Sequence, residues 1–276
     1  MDILLSLFLL LRERERERHF VLVHGACHGA WCWYRVATLL KSSGHKVTAL
    51  DMAASGVNPK QARDLNSIVE YVEPLFEFLE GLHQEEKVIL VGHSMGGLVL
   101  SMAMERFPEK VDVAIFAAAF MPGPELSIRS IREENERRFE NRMDMAYAFD
   151  DGPSRPPTSM LFGFDVLSSK LYQLSPPEDL TLASYLVRPF RLYPDEARME
   201  EEAAAAVTKG KYGTVRRVYI VCDQDLAIKE DVHRWMVEMN PPDEVKVISG
   251  SDHMVMFSKP HELCDALGEI AECYCS

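Results

Sequence analysis

Ser94 stands in Gly92-His93-Ser94-Met95-Gly96, a Gly-x-Ser-x-Gly pentapeptide. A serine hydroxyl attacks a carbonyl only when a neighbouring base takes its proton during the step. The histidines downstream are His233, His253 and His261. His253 follows the apolar run Val245–Ile248 in Ser249-Gly250-Ser251-Asp252-His253, a loop position at a strand's carboxyl end that suits the base. His233 falls inside a helical pattern beside Trp235, and His261 follows Pro260 at a helix start, so both are read as structural or exposed. Chains that carry such a serine turn place its partners in the order serine, acid, histidine. The run Arg217–Cys222 is followed by Asp223 and Asp225. Asp225 lies further past the strand end, where a loop can turn its carboxylate toward the His253 ring; Asp223 is the reserve. The acid has to hold the imidazole tautomer and stabilise the imidazolium, without itself being protonated. Asp252 is expected to point away from the ring and to lie at the surface. Two backbone amides must meet the negative oxygen that develops on an attacked carbonyl. Met95, the residue after the nucleophile, supplies one, and Ala26 in the glycine-bearing loop His24–Gly29 is the choice for the other. His24 and His28 are read as structural, because no carboxylate cluster accompanies them as metal ligands would require.

These residues need a frame that brings them together. Val88–Val91 is an apolar, β-branched run ahead of the pentapeptide, and the amphipathic segment Leu98–Arg106 follows it. A strand, a sharp turn and a helix in that order lift the serine oxygen above the sheet, with glycine at 92 and 96 because a side chain at either would strike neighbouring backbone. Further strands are expected at His19–His24, Lys46–Asp51, Val111–Ala119, Arg217–Cys222 and Val245–Ile248. Helices are expected at Trp33–Ser43, Asp64–Leu82 and Pro260–Ala271. Apolar strands alternating with helices indicate an α/β fold with a mainly parallel sheet covered on both faces. From Met121 to about Lys211 that pattern breaks. Pro122, Pro124, Pro153, Pro156, Pro157, Pro176 and Pro177 punctuate the block, and helical pieces are expected at Ser130–Arg142, Leu161–Leu174, Leu180–Val187 and Glu196–Val207. This stretch reads as a helical lid, residues 121–211, inserted between core strands. Met160, Leu161, Phe162, Leu171, Leu186 and Leu192 argue that it covers an apolar cavity.

The 276 residues fit one large domain with an insertion. With 43 acidic against 30 basic residues the net charge is −13, which opposes nucleic acid and anionic membrane as partners. The six cysteines form no C-x-x-C pair and no zinc-ligand spacing, so reduced, buried thiols of a cytoplasmic protein are expected. Residues 1–18 form a separate leader, expected to be disordered: an apolar run, Ile3–Leu11, too short to cross a bilayer, precedes an alternating Arg-Glu tract. The domain proper is expected over 19–276, with no stable membrane insertion. A homodimer is compatible with the sequence, which leaves the oligomeric state open.

Several stretches are more specific than the pentapeptide: His19–Trp31 (HFVLVHGACHGAW), Gly44–Asp51 (GHKVTALD), Lys87–Ser94 (KVILVGHS), Lys170–Leu174 (KLYQL), Arg217–Cys222 (RVYIVC) and Asp252-His253-Met254. Over residues 19–274 the chain resembles the plant methylesterase family of α/β-hydrolases, typified by salicylic acid-binding protein 2 and related to polyneuridine aldehyde esterase and the hydroxynitrile lyases. The resemblance implies an α/β-hydrolase fold, a Ser94, Asp225, His253 triad, oxyanion donors at Ala26 and Met95, and no cofactor. It implies an ester pocket lined by Met160, Phe162, Leu192 and Met254. It further implies hydrolysis of small methyl esters of plant hormones (methyl salicylate, methyl jasmonate or methyl indole-3-acetate) to the free acid and methanol. Two rivals come with it. Similar lyases carry threonine where Gly25 stands and lysine where Met254 stands, and a methionine offers no cation for leaving cyanide. A hormone-binding receptor on the same fold would keep the cavity to hold its ligand, and multiple turnover on a methyl ester tells the two apart.

Overall fold

Six largely apolar runs become six parallel strands, the central ones buried on both faces. A computed structural model describes residues 17–138, 143–193 and 206–275. The strands are β1 (His19–Val23), β2 (Lys46–Leu50), β3 (Val88–Ser94), β4 (Val111–Ala119), β8 (Arg216–Cys222) and β9 (Glu244–Ile248); three short strands of the lid, β5 to β7, fall between β4 and β8. The sheet runs β2-β1-β3-β4-β8-β9, every pairing parallel. The outermost strands show it by composition: Val245 and Val247 of β9 are exposed, whereas β3 and β4 are buried almost throughout.

Side chains alternate across the sheet with period two. Val21, Val23 and Leu90 face one layer, with Tyr71, Val72 and Leu75 of α2 (Ile68–Glu80) and Leu98 and Val99 of α3 (Gly96–Arg106). Phe20, Leu22, Ile89 and Val91 face the other, with Val36 and Leu40 of α1 (Tyr34–Ser42) and Leu263, Leu267 and Ile270 of α7 (Pro260–Tyr274). The helix expected over Asp64–Leu82 starts later, at Ile68, because the Ser67 side chain accepts the Glu70 amide and caps it there.

The inserted block departs from the helical expectation. It carries α4 (Ile128–Arg138) and α5 (Pro177–Leu186), but also a three-stranded antiparallel sheet of β5 (Ala146–Ala148), β6 (Ser159–Leu161) and β7 (Phe190–Arg191). The expected helix Leu161–Leu174 opens as the end of β6, and only Phe164–Leu171 is helical, finishing in a π turn. Two- and three-residue strands carry too little alternation to be read from sequence. Of the apolar residues expected to face inward, Leu186 is 38% exposed and takes no part in a lid core. Most of the segment expected at Glu196–Val207 lies outside the described residues, as do residues 1–16 of the expected leader. Arg18 is already part of the fold: its carbonyl accepts the Lys46 amide, and its guanidinium donates to the Cys275 carbonyl at 2.6 Å. Among the described residues no helix is long and apolar enough to cross a membrane.

Candidate active site

Ser94 ends β3 with φ +54°, the left-handed region that a non-glycine residue occupies only under constraint. The constraint is close packing by glycine on both sides. A Cβ on Gly92 would sit 2.8 Å from the Gly96 carbonyl oxygen, and one on Gly96 2.7 Å from the Val23 oxygen. A Cβ on Gly97 would lie 1.9 Å from the Phe120 oxygen, so α3 can begin this close to β4 only with glycine there. The turn therefore presents Ser94 at the carboxyl edge of the sheet, where α3 begins.

His253 reaches the same edge from the loop after β9. Its Nδ1 lies 2.7 Å from Oδ2 of Asp225, and both residues are buried. The other carboxylate oxygen, Oδ1, accepts the amides of Ala227 and Ile228 at 2.7 and 2.8 Å. Burial alone would raise the Asp225 carboxyl. The facing His253 charge, the His233 ring 3.3 Å away and the hydrogen bond from His253 outweigh it and hold the group well below the usual carboxylate range. Asp223 is placed elsewhere: its Oδ1 accepts the Gly250 amide at 2.7 Å and joins the β8 and β9 loops. The backbone of His253 is tied to the serine turn by His93, whose Nε2 donates to the His253 carbonyl at 2.8 Å, with the two rings 4.6 Å apart. His93 is buried, and desolvation with the neighbouring His253 and His28 keeps it neutral, well below the ordinary histidine value.

The loop with Ala26 is pinned from both sides. His24 donates from Nδ1 to the Gly25 carbonyl (2.8 Å) and accepts the Met52 amide at Nε2 (3.1 Å). His28 donates from Nδ1 to the Ala26 carbonyl (2.9 Å), and its Nε2 accepts the Tyr172 hydroxyl (2.7 Å). All four ring nitrogens are spent in hydrogen bonds, which assigns both histidines to the scaffold. Ala26 and Met95 are both buried beside the serine turn. Cys27, also in this loop, has φ +63°, and burial pushes its thiol up to about 12, so it offers no competing nucleophile.

One residue differs from its sequence reading, and another sits closer to the site than that reading required. Asp252 is not at the surface: it is fully buried, with Oδ1 accepting the Met254 amide and Oδ2 accepting the Leu174 amide and the Ser175 hydroxyl of the lid. The lid's own donors replace water there. His233 is fully buried too, and its Nε2 stands 3.3 Å from Oδ2 of Asp225.

A comparison with protein families finds the description "Alpha/beta hydrolase family" matching residues 20–266. Methyl jasmonate esterase 1 of Vitis vinifera is 59% identical over 261 residues, 94% of this chain and 99% of the relative. The chain belongs to the plant methylesterase family of α/β-hydrolases. Salicylic acid-binding protein 2 of Nicotiana tabacum is 47% identical, again over 94% of this chain and 99% of the relative. Among solved structures, tomato methylketone synthase I complexed with 2-tridecanone superposes with a TM-score of 0.89 at 46% identity, over 94% of this chain and 99% of that one.

The lid of this methylesterase-family chain is fastened to the core by polar residues. Asp179 of α5, 1% exposed, accepts the Tyr34 hydroxyl at 2.8 Å and pairs with Arg35 at 2.9 Å. Arg188 donates to the carbonyls of Gly56, Asn58 and Lys60, and its amide donates to the Cys27 carbonyl. Met160, Phe162 and Leu192 are half-buried and pack against the sheet-side core; the Phe162 ring lies 6.4 Å from that of His28. Met254 is fully buried directly after the base.

Proposed function

We propose that this chain hydrolyses small methyl esters of plant hormones by acyl transfer through Ser94, Asp225 and His253. The observation that carries the reading is the buried Asp225–His253 pair, 2.7 Å apart, latched by His93 to a serine held at positive φ. His253 takes the Ser94 proton as the oxygen attacks the ester carbonyl, and the amides of Ala26 and Met95 receive the oxyanion. His253 then protonates the departing methoxy oxygen as its bond to the acyl carbon breaks, releasing methanol, and in the second half it activates the water that releases the acid. Asp225 stays ionised throughout, as its depressed carboxyl requires.

The apolar side chains Met160, Phe162, Leu192 and Met254 suit a cyclopentyl or aromatic acyl group next to one small alkoxy group. Methyl jasmonate stands first because the 59%-identical relative is named for it; methyl salicylate and methyl indole-3-acetate follow. Two positions oppose cyanohydrin cleavage. A Cβ on Gly25 would sit 2.8 Å from Cβ of Ser94, leaving a threonine no room, and Met254 supplies no charge.

The test is a panel of the three methyl esters plus mandelonitrile, with enzyme far below substrate. Many turnovers on at least one ester and negligible cyanide release are expected, and Ser94→Ala should abolish turnover while still binding the product acid. Substantial ester hydrolysis by Ser94→Ala, or cyanide release as fast as ester hydrolysis, would overturn the reading.

A further inference from the structure

Asp225 is met by two imidazoles, and the reaction above uses only one. Its Oδ1 is occupied by the two amides of the 227–228 turn, while Oδ2 faces both Nδ1 of His253 at 2.7 Å and Nε2 of His233 at 3.3 Å. His233 projects from α6 (Glu230–Met239) and is fully buried, its ring edge-on to Tyr219 at 5.6 Å. Neither of its ring nitrogens meets a hydrogen-bonding partner of good geometry among the described residues. A neutral imidazole has one N–H to place. With the proton on Nδ1, the Nε2 lone pair would lie beside an ionised carboxylate; with it on Nε2, the positive end of the N–H lies beside that charge instead. Electrostatics therefore selects the Nε2–H tautomer. The phenol of Tyr219 is turned away, donating to the Ala119 carbonyl.

We propose that His233 is a positioning residue for the esterase reaction: its Nε2–H holds Oδ2 of Asp225 beside His253 and, by sharing the carboxylate's charge, sets the basicity of His253. This rests on the reading of His253 as the base. A carboxylate that spends charge on a second donor stabilises the first imidazolium less. His233 thus fixes the carboxylate oxygen in which Nδ1–H terminates and takes a share of the charge that faces the His253 ring. The titratable groups facing the cluster are His253 and Asp252 from the β9 loop, His28 from the loop after β1, His93 from β3, Tyr219 and Cys222 from β8, and His233 from α6. Among them, His233 alone both lies within ion-pair distance of Asp225 and has no part in the chemistry.

The test has two arms on the full chain. In the first, histidine ring nitrogens are assigned by 15N NMR in the unmodified protein near pH 7, and His233 is expected to carry its proton on Nε2. A proton on Nδ1 would overturn the proposal whatever the activity. In the second, kcat/KM on the best methyl ester is followed against pH for His233→Phe, which keeps a ring and loses the donor, and for His233→Gln, which keeps an N–H. The acidic limb of His233→Phe should move up by about 0.5 to 1 pH unit, with kcat down several-fold and KM little changed. His233→Gln should restore most of the parent profile. A His233→Phe profile that overlays the parent's would reduce His233 to a packing residue. Absence of turnover in the unmodified protein would instead sink the esterase reading, leaving the tautomer to be judged by NMR.

Discussion

Replacing Asp225 by asparagine should switch off the base through hydrogen-bond geometry alone. Oδ1 of Asp225 accepts two amides, from Ala227 and Ile228, at 2.7 and 2.8 Å. Asparagine has one oxygen, and turning its NH2 toward those amides would strand two buried donors at about 1–3 kcal/mol each. The oxygen therefore stays at Oδ1, and the NH2 takes the place of Oδ2, 2.7 Å from Nδ1 of His253. An NH2 only donates, so Nδ1 must become the acceptor and the ring proton moves to Nε2. The nitrogen that should take the Ser94 proton then already carries one. The expected loss in kcat is about four orders of magnitude, about 5.4 kcal/mol at 1.36 kcal/mol per tenfold, with KM nearly unchanged. Asp223→Asn is the matched control. Its Oδ1 accepts only the Gly250 amide, an arrangement asparagine reproduces, so its rate should stay within a few-fold of the parent's. Initial rates of methanol release, with circular dichroism to verify folding, decide the matter. An Asp225→Asn enzyme within tenfold of the parent, or a larger loss in Asp223→Asn, would refute the assignment.

Two further outcomes follow from the same contacts. Gly25→Ala puts a Cβ 2.8 Å from Cβ and 3.3 Å from Oγ of Ser94, so the turn must yield by some tenths of an ångström; kcat on the preferred ester should fall on the order of 10- to 100-fold with little change in melting temperature, and unchanged kcat would show that the turn has slack. Acid should also destabilise the fold early, because burial lowers the pKa of His24, His28 (to about 3) and His93, so the unfolded chain binds protons that the folded one refuses. Stability is then full above the unfolded value of about 6.5 and falls as the pH drops below it, by about 2 kcal/mol at pH 5 from His28 alone, with His24 and His93 acting in the same direction; equal urea midpoints at pH 7 and pH 5 would contradict this.

The parts of the site legible in the sequence are those whose signal is local. The serine turn is fixed by glycines one or two residues away and by the strand and helix around it. The ordering of Asp225 and His253 could be read because each follows an apolar strand whose end defines a loop. What could not be read depends on contacts across many residues. Asp252 looks like a loop carboxylate until Leu174 and Ser175, 78 and 77 positions earlier, arrive as donors. His233 looks like a helical residue beside a tryptophan, and only the return of α6 against β8 carries it to Asp225. One signal was present: a histidine two positions before Trp235 belongs on the same buried side of the helix as Val232 and Met236, where an ionisable ring needs a partner.

The dipeptide Asp252-His253 explains how the lid and the chemistry are kept in step. Successive side chains face apart: the carboxylate of Asp252 goes to the lid through Leu174 and Ser175, while the imidazole of His253 goes to Asp225. The same pairing recurs on the opposite wall, where His28 grips Tyr172 of the lid with one nitrogen and the Ala26 carbonyl with the other. The His253 loop and the Ala26 loop are thus each fastened to the short lid segment 172–175. Met160, Phe162 and Leu192 lie outside that segment and make none of these bonds with their side chains. On the proposed reading, substitutions among those three should change the shape offered to an acyl group without loosening the loops that carry His253 and Ala26, whereas a change at Tyr172 or Ser175 should disturb those loops directly. Specificity and turnover should then separate by residue in a panel of esters, with single substitutions at Met160, Phe162 or Leu192 reordering the preferred esters and Ser175→Ala lowering turnover on all of them.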